Sequence, residues 1–262
     1  MKNVWISALT ENQPRVSAVT AVLKQYGLNC TGHFWADAPE KMSWRSAVTA
    51  LLDAKADLWL VLADDAEMAK PGVRYALSLM AASLRQIKGP GFQIVFLWNS
   101  AAPAPDKLPQ ILQSATLAEE SAASWAAKIV ARANMPGKAA APEYRLDIQG
   151  DERLGQWFEI GPSEGAWRGV VFGVTGEGAE INFQAVGSKG RLPEKTTLEY
   201  AQQGLKIQAG SREFTAWAVR NQVDANSSYF VRVKGCPDAI LFMPYVNETD
   251  DSEVSATILS LK

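Results

Sequence analysis

The hydrophobic pattern of this 262-residue chain changes its period near residue 138, and this change constrains the fold more than any other feature. Before it, apolar residues recur every three to four positions between short continuous apolar runs, which is typical of helices that alternate with buried strands. After it, apolar and polar residues alternate in short segments bounded by Gly, Asn, Asp and Pro, which is typical of antiparallel strands. We therefore predict an α/β domain followed by an all-β domain.

The α/β prediction depends most on the run ADLWLVLAD, from Ala56 to Asp64. Its continuous apolar centre indicates a parallel strand that is buried on both faces. A second buried strand is predicted over Phe92–Trp98, and helical spacing is found from Pro71 onward and again over Ala115–Asn134. These elements predict a flavodoxin-like sheet of four or five parallel strands with helices on both faces.

The segment NMPGKAAAPEY, rich in Pro, Gly and Ala, predicts a linker over residues 135–142. The expected domains are therefore 1–134 for the α/β part and 143–262 for the all-β part. Because the second part consists of short strand-like segments without helical spacing, we predict an antiparallel β-sandwich of the jelly-roll type.

Composition restricts the classes of partner. The formal net charge is −2, the isoelectric point is about 5.6 and no run of Lys and Arg occurs, so we expect no nucleic-acid partner. No stretch approaches the roughly 20 apolar residues that a membrane-spanning helix needs. The two cysteines, Cys30 and Cys236, lie in different predicted domains, which favours reduced thiols and a cytoplasmic location.

Common catalytic and cofactor motifs are missing from the sequence. The single histidine, His33, cannot supply a multi-histidine metal site, and we expect it to be structural. Neither GxGxxG nor GxxxxGK[ST] occurs as a phosphate-binding loop. We therefore expect neither a metal nor a cofactor.

A polar break follows the strand that ends near Asp64, and open α/β sheets bind ligands at the carboxyl ends of their strands. A nucleotide-like ligand there would be bound rather than turned over, with Arg45 gripping a phosphate and Trp44 stacking on a ring. The alternative is that Trp44 covers the core and Arg45 lies along the surface. The candidate ligand-binding residues are Ser7, Asp37, Trp44, Arg45, Asp64 and Asp65.

Four segments together resemble a bacterial TIR (Toll/interleukin-1 receptor) domain over residues of about 1–134: VWISAL, VLKQYGLNC, MSWRSAVTALLDAKADLWLVLAD and GVRYALSLMAASL. The resemblance implies a flavodoxin-like fold and a role in protein association or signalling. Enzymatic TIR domains hydrolyse NAD with a glutamate on the helix after the third strand. Here Ala76 or Leu77 stands in its place, so the resemblance implies that the catalytic carboxylate is absent.

The sequence therefore predicts a non-catalytic TIR-like signalling or protein-association module, with a protein partner or self-association. Its β-sandwich is expected to serve as a sensor, ligand-binding or assembly domain. One alternative is an NAD-hydrolysing enzyme in which Glu67 replaces the missing carboxylate. A second alternative is a carbohydrate-binding protein that uses sandwich tryptophans, although Trp157, Trp167 and Trp217 lie in apolar segments that favour packing in the core.

Overall fold

The computed structural model describes residues 1–135, 137, 140–246 and 255–262. The chain forms two compact units, one of residues 1–39 and 43–140 and one of residues 40–42 and 141–262. The predicted linker, 135–142, lies partly outside the described residues. Independent folding of the two predicted domains remains a prediction.

The first unit alternates strands and helices. Its elements are β1 (Lys2–Ala8), α1 (Gln13–Gln25), β2 (Leu28–Phe34), α2 (Ser43–Asp53), β3 (Leu58–Ala63), α3 (Asp65–Met68), α4 (Pro71–Lys88), β4 (Gln93–Trp98), β5 (Thr116–Glu119) and α5 (Trp125–Asn134). All five strands are parallel, in the order β2-β1-β3-β4-β5. This is the flavodoxin-like strand order, so the predicted parallel sheet with helices is confirmed.

Strand β3 lies at the centre of the sheet, and all six of its residues are buried, as the run of apolar residues predicts. One face of the sheet packs against α1 and α5 through Val4, Ile6 and Ala8 of β1 and their neighbours. Because side chains alternate along a strand, Trp5 and Ser7 lie on the opposite face.

The predicted helix over Ala115–Asn134 was too long. Thr116–Glu119 instead forms β5, which pairs with Val95–Trp98 of β4, and the helix begins only at Trp125. Pairing with the exposed edge of β4 outweighs the weak helical spacing of this segment, because propensity alone is a small term beside tertiary hydrogen bonding.

The second unit is all-β. Its strands are β6 (Tyr144–Asp151), β7 (Gly155–Pro162), β8 (Ala166–Thr175), β9 (Glu180–Ser188), β10 (Gln202–Ala209), β11 (Arg212–Asp224), β12 (Ser227–Lys234), β13 (Ala239–Pro244) and β14 (Thr257–Ser260). They form two antiparallel sheets, ordered β10-β11-β8-β13-β14 and β6-β7-β12-β9. The predicted all-β part is confirmed.

Ring contacts join the two antiparallel sheets face to face. Phe158 of β7 lies 5.4 Å from Phe172 of β8, and Tyr144 of β6 lies 4.8 Å from Phe242 of β13, measured between ring centroids. Most connections between successive strands pass from one sheet to the other, which is the arrangement of a sandwich. Among the residues described, no helix has the length and apolar character needed to cross a membrane.

Candidate functional site

The carboxyl edge of the parallel sheet is the candidate site, because the strand order reverses there between β1 and β3. Thr10, just after β1, donates a hydrogen bond from Oγ1 to Oδ2 of Asp64, just after β3, over 2.5 Å. The other oxygen of Asp64, Oδ1, accepts from the backbone N–H of Glu67 over 2.9 Å. Asp64 therefore lies where the sequence places it, but it caps α3 and bridges two strand ends.

The second member of the acidic pair is also engaged within the protein. Asp65 accepts from the indole Nε1 of Trp98 over 2.9 Å and from Oγ of Ser100 over 3.2 Å. Trp98 ends β4, so Asp65 connects the segment after β3 to the segment after β4. Neither carboxylate of the pair presents both of its oxygens to a ligand.

An arginine that the sequence analysis missed occupies the centre of this edge. Arg15 donates from Nε to Oε1 of Glu120 over 2.7 Å and from Nη2 to the carbonyl oxygens of Ala63 and Leu97 over 3.0 and 3.1 Å. These acceptors lie at or just beyond the ends of β3, β4 and β5, and the Arg15 side chain is only 12% exposed. The guanidinium thus joins three strand ends to one another.

The local sequence explains how Arg15 reaches this position. Asn12 caps α1 by accepting from the backbone N–H of Arg15 over 3.0 Å, and Pro14 fits the first turn, where no backbone donor is required. A cation in the first turn opposes the helix dipole, so it needs an anionic partner, and Glu120 supplies one. That unfavourable placement in TENQPR is the signal that could have indicated Arg15.

Ser7 does not lie at an open strand end, contrary to the sequence expectation. It is 0% exposed, because β1 continues to Ala8 and the alternation turns Ser7 into the sheet interior. Its Oγ lies 2.8 Å from Nε2 of His33 and accepts from Nε1 of Trp59 over 2.9 Å. The buried Ser7 and the half-buried His33 form a structural pair, and no other predicted site residue joins them.

The two α2 residues of the predicted site also lie elsewhere. Trp44 is 1% exposed, so it cannot stack on a ligand without rearrangement, and its indole N–H has no acceptor among the described residues. Arg45 places Nη1 3.5 Å from Oγ of Ser83 on α4. Both positions match the alternative in which Trp44 covers the core. The exposed Asp37 lies beside Gly72, at the start of α4.

Glu67, the candidate replacement for the missing catalytic carboxylate, lies in the short helix α3. Its Oε1 forms an ion pair with Nζ of Lys70 over 2.7 Å. The α4 positions that correspond to the catalytic glutamate are occupied by Ala76 and Leu77, and both are buried. Within the described part of the chain, no group of three or more His, Cys, Asp or Glu side chains could hold a metal ion.

The β-sandwich carries a separate aromatic cluster on one of its sheets. The guanidinium of Arg232 on β12 lies 5.6 Å from the ring centroids of both Trp157 on β7 and Phe183 on β9. Phe183 is 47% exposed. Trp157, expected to pack in the core, is partly exposed, as are Trp167 and Trp217.

No family model matches the sequence, and no curated protein matches it. Several solved structures, among them the following three, are similar to the chain at low identity. A CheY-like protein (tadZ) from Pseudomonas aeruginosa PAO1 is 14% identical over 51% of this chain and 100% of its own, with a TM-score of 0.35. A response regulator protein from Burkholderia multivorans is 17% identical over 53% of this chain and 100% of its own, with a TM-score of 0.33.

The third structure is a two-domain esterase active on acetylated mannans, which is 8% identical over 100% of this chain and 92% of its own, with a TM-score of 0.32. At these TM-scores, the fold assignment of the first unit rests on its own strand order and pairing.

The contact of the half-buried His33 with the buried Ser7 predicts a pH-dependent stability. Burial lowers the pKa of His33 below its usual value of 6.5, so the folded state takes up a proton less readily than the unfolded state. The free energy of unfolding should therefore be highest above pH 6.5 and fall as the pH decreases below it, with a slope of at most about 1.4 kcal/mol per pH unit.

Urea unfolding between pH 5.5 and 7.5 measures this slope. His33→Gln removes the only histidine of the chain and should flatten the profile in this range. Identical profiles for the two proteins would show that His33 titrates in the same way in the folded and unfolded chain.

Proposed function

We propose that the first unit is a non-catalytic, TIR-like module for protein association in signalling, and that the β-sandwich is its ligand-binding partner domain. The observation that carries this proposal is the internal occupation of the carboxyl edge by Arg15. Enzymes of this architecture bind their substrate at the carboxyl edge of the sheet. In this chain the guanidinium of Arg15 occupies that edge and binds the strand ends of the protein itself.

The contacts of Arg15 favour a carboxyl edge that is filled by the protein itself and excludes a ligand. A phosphate at the strand ends would compete with Glu120 and with the carbonyls of Ala63 and Leu97 for the guanidinium of Arg15, because all of these groups are acceptors. Hydrogen bonds that involve a charged group each contribute about 1.5–3 kcal/mol. A ligand would need to replace this stabilisation before it gained any affinity, so a nucleotide-like ligand at this edge is disfavoured.

NAD hydrolysis with a displaced carboxylate is the alternative for the same unit. It requires a carboxylate that can face the ribose and stabilise the charge that develops as the glycosidic bond breaks. Glu67 forms an ion pair with Lys70, and Asp64 and Asp65 accept hydrogen bonds from the protein. These contacts weigh against the enzymatic alternative.

Carbohydrate binding by the sandwich is a second candidate, favoured by the exposure of Trp157 beside Phe183. Two neighbouring aromatic rings on one sheet offer apolar surface to a sugar ring. Arg232 and Asn182, which hydrogen bond to each other over 2.7 Å, lie at the same place and can contact hydroxyl groups. This candidate concerns the second unit and is compatible with association by the first.

Incubation with NAD tests the non-catalytic assignment of the first unit. We expect no release of nicotinamide above the protein-free rate, because the three acidic residues that follow β3, Asp64, Asp65 and Glu67, are all engaged within the protein. Release by the wild-type chain that is lost in Glu67→Gln and kept in Glu11→Gln, a change at an exposed glutamate, would contradict the proposal and identify Glu67 as the displaced acid.

A glycan array tests the second candidate. We expect wild-type chain to bind at least one glycan and Trp157→Ala to lose most of that signal, because the aromatic platform is removed. Trp167→Ala, which changes a partly exposed tryptophan on the other sheet, should bind as the wild type does. Equal binding by both variants, or no binding by the wild type, would reject the sandwich as a carbohydrate-binding domain at this cluster.

A further inference from the structure

Strand β2 forms one edge of the parallel sheet, and among the described residues it lacks the usual protection of an edge strand. Its sequence, LNCTGHF, contains no Lys, Arg, Asp, Glu or Pro over seven residues. Asn29, Thr31 and Gly32 are exposed. Proteins commonly guard edge strands with charges, prolines, short length or covering segments, because unpaired backbone groups can pair with another chain.

The other edge strands of the described structure do carry such protection. The opposite edge of the same sheet, β5, has only four residues, and Lys128 donates to the carbonyl of Leu117 over 2.8 Å. Strand β14, at one edge of the sandwich, is equally short. In the sandwich, Thr196 bonds to both the N–H and the carbonyl of Val186 on β9. Strand β6 carries charged residues and β10 carries Lys206. Strand β2 therefore differs from its counterparts in this chain.

The pairing of β2 with β1 determines which of its backbone groups face outward. The N–H of Trp35 donates to the carbonyl of Ala8 on β1 over 2.8 Å. Because backbone groups alternate in direction along a strand, those of His33, Thr31 and Asn29 also face β1. The outward residues are consequently Leu28, Cys30, Gly32 and Phe34.

The geometry of Gly32 agrees with this assignment. A Cβ on Gly32 would lie 2.1 Å from the carbonyl oxygen of Ile6 on β1. The side of the Gly32 Cα that would carry a side chain therefore faces β1. Its N–H and carbonyl then face the opposite direction, toward the open edge. Glycine also leaves these two groups uncovered by any side chain of their own.

The outward groups form a self-complementary set. If two copies of β2 lie antiparallel about a two-fold axis through Thr31, Cys30 faces Gly32 and Leu28 faces Phe34 of the other copy. Each of these pairs joins two outward-facing residues, so every outward N–H and carbonyl of the strand finds a partner. If the register between the two strands shifts by two residues in either direction, the outward backbone groups of Leu28 or Phe34 lose their partner.

We propose that β2 pairs with β2 of a second copy of this chain, which joins two five-stranded sheets into one continuous sheet across a two-fold axis. The proposal rests on the association function proposed above and names its partner as the chain itself. The axis brings two Thr31 side chains together in a non-hydrogen-bonded pair, where Thr–Thr contacts are favourable. Strand β2 has no Lys, Arg, Asp or Glu side chain, so no such charge would be repelled by its counterpart in the second copy.

A disulfide at the axis tests the register directly. Facing Cα atoms of a non-hydrogen-bonded antiparallel pair lie about 4.5 Å apart, within the range that a disulfide spans. Thr31→Cys should therefore form a disulfide-linked dimer on mild oxidation, seen on a non-reducing gel. Asn29→Cys carries the same new thiol two residues from the axis and should remain monomeric on the gel, as should the wild type.

The mass in solution tests the pairing without a crosslink. Light scattering should give the wild-type chain and Thr31→Val twice the chain mass of 28.5 kDa, whereas Thr31→Lys should give the chain mass, because two cations would meet at the axis. Circular dichroism checks that Thr31→Lys is folded.

A wild-type monomer at about 100 μM, a Thr31→Lys dimer, or equal crosslinking of Thr31→Cys and Asn29→Cys would overturn the β2 pairing. None of these results bears on catalysis, so the non-catalytic assignment would stand. Conversely, NAD turnover would overturn that assignment without affecting the measured mass.

Discussion

A parallel sheet ends in a row of backbone carbonyls at its carboxyl edge, and these acceptors must be satisfied by water, by a ligand or by the protein itself. In this chain Arg15 satisfies two of them, at Ala63 and Leu97, and Glu120 neutralises its charge. The rest of the candidate site follows from this arrangement. Thr10, Asp64 and Asp65 complete a set of contacts that ties β1, β3 and β4 together at the point where related architectures leave an opening.

Under the proposed pairing of β2, the first unit interacts through its edge strand rather than through its crevice. In the crevice, Arg15, Asp64 and Asp65 already have partners. The outer edge of β2 carries backbone groups that lack partners among the described residues. A chain organised in this way is suited to binding through its backbone, as in strand addition. The aromatic cluster of Trp157, Phe183 and Arg232 gives the sandwich a surface of different chemistry.

The sequence predicts much of the fold because burial has a simple signature. The run of apolar residues in β3 and the change of period near residue 138 identify a parallel sheet followed by antiparallel strands, and both are confirmed. The error over Ala115–Asn134 arises because β5 is only four residues long. A strand of that length has too few positions for its period to be distinguished from a helical one.

The candidate site was less predictable, because it depends on contacts between residues far apart in the chain. Asp64 and Asp65 could be placed at a strand end, but their partners Thr10, Trp98 and Ser100 could not be deduced from spacing. Alternation along β1 could have placed Ser7 in the interior, whereas the pairing of Arg15 with Glu120, 105 positions later, leaves no local pattern.

A double-mutant cycle on Arg15 and Glu120 tests most directly whether the carboxyl edge is held closed by its own ion pair. The free energy of unfolding is measured for Arg15→Ala, Glu120→Ala and the double variant. The structure predicts a coupling energy of about 1–3 kcal/mol, because the pair is largely withdrawn from water. Arg191 and Glu194, 79% and 84% exposed, provide the matched control, with an expected coupling below about 0.5 kcal/mol. A coupling for Arg15 and Glu120 no larger than that of the exposed pair would contradict the account.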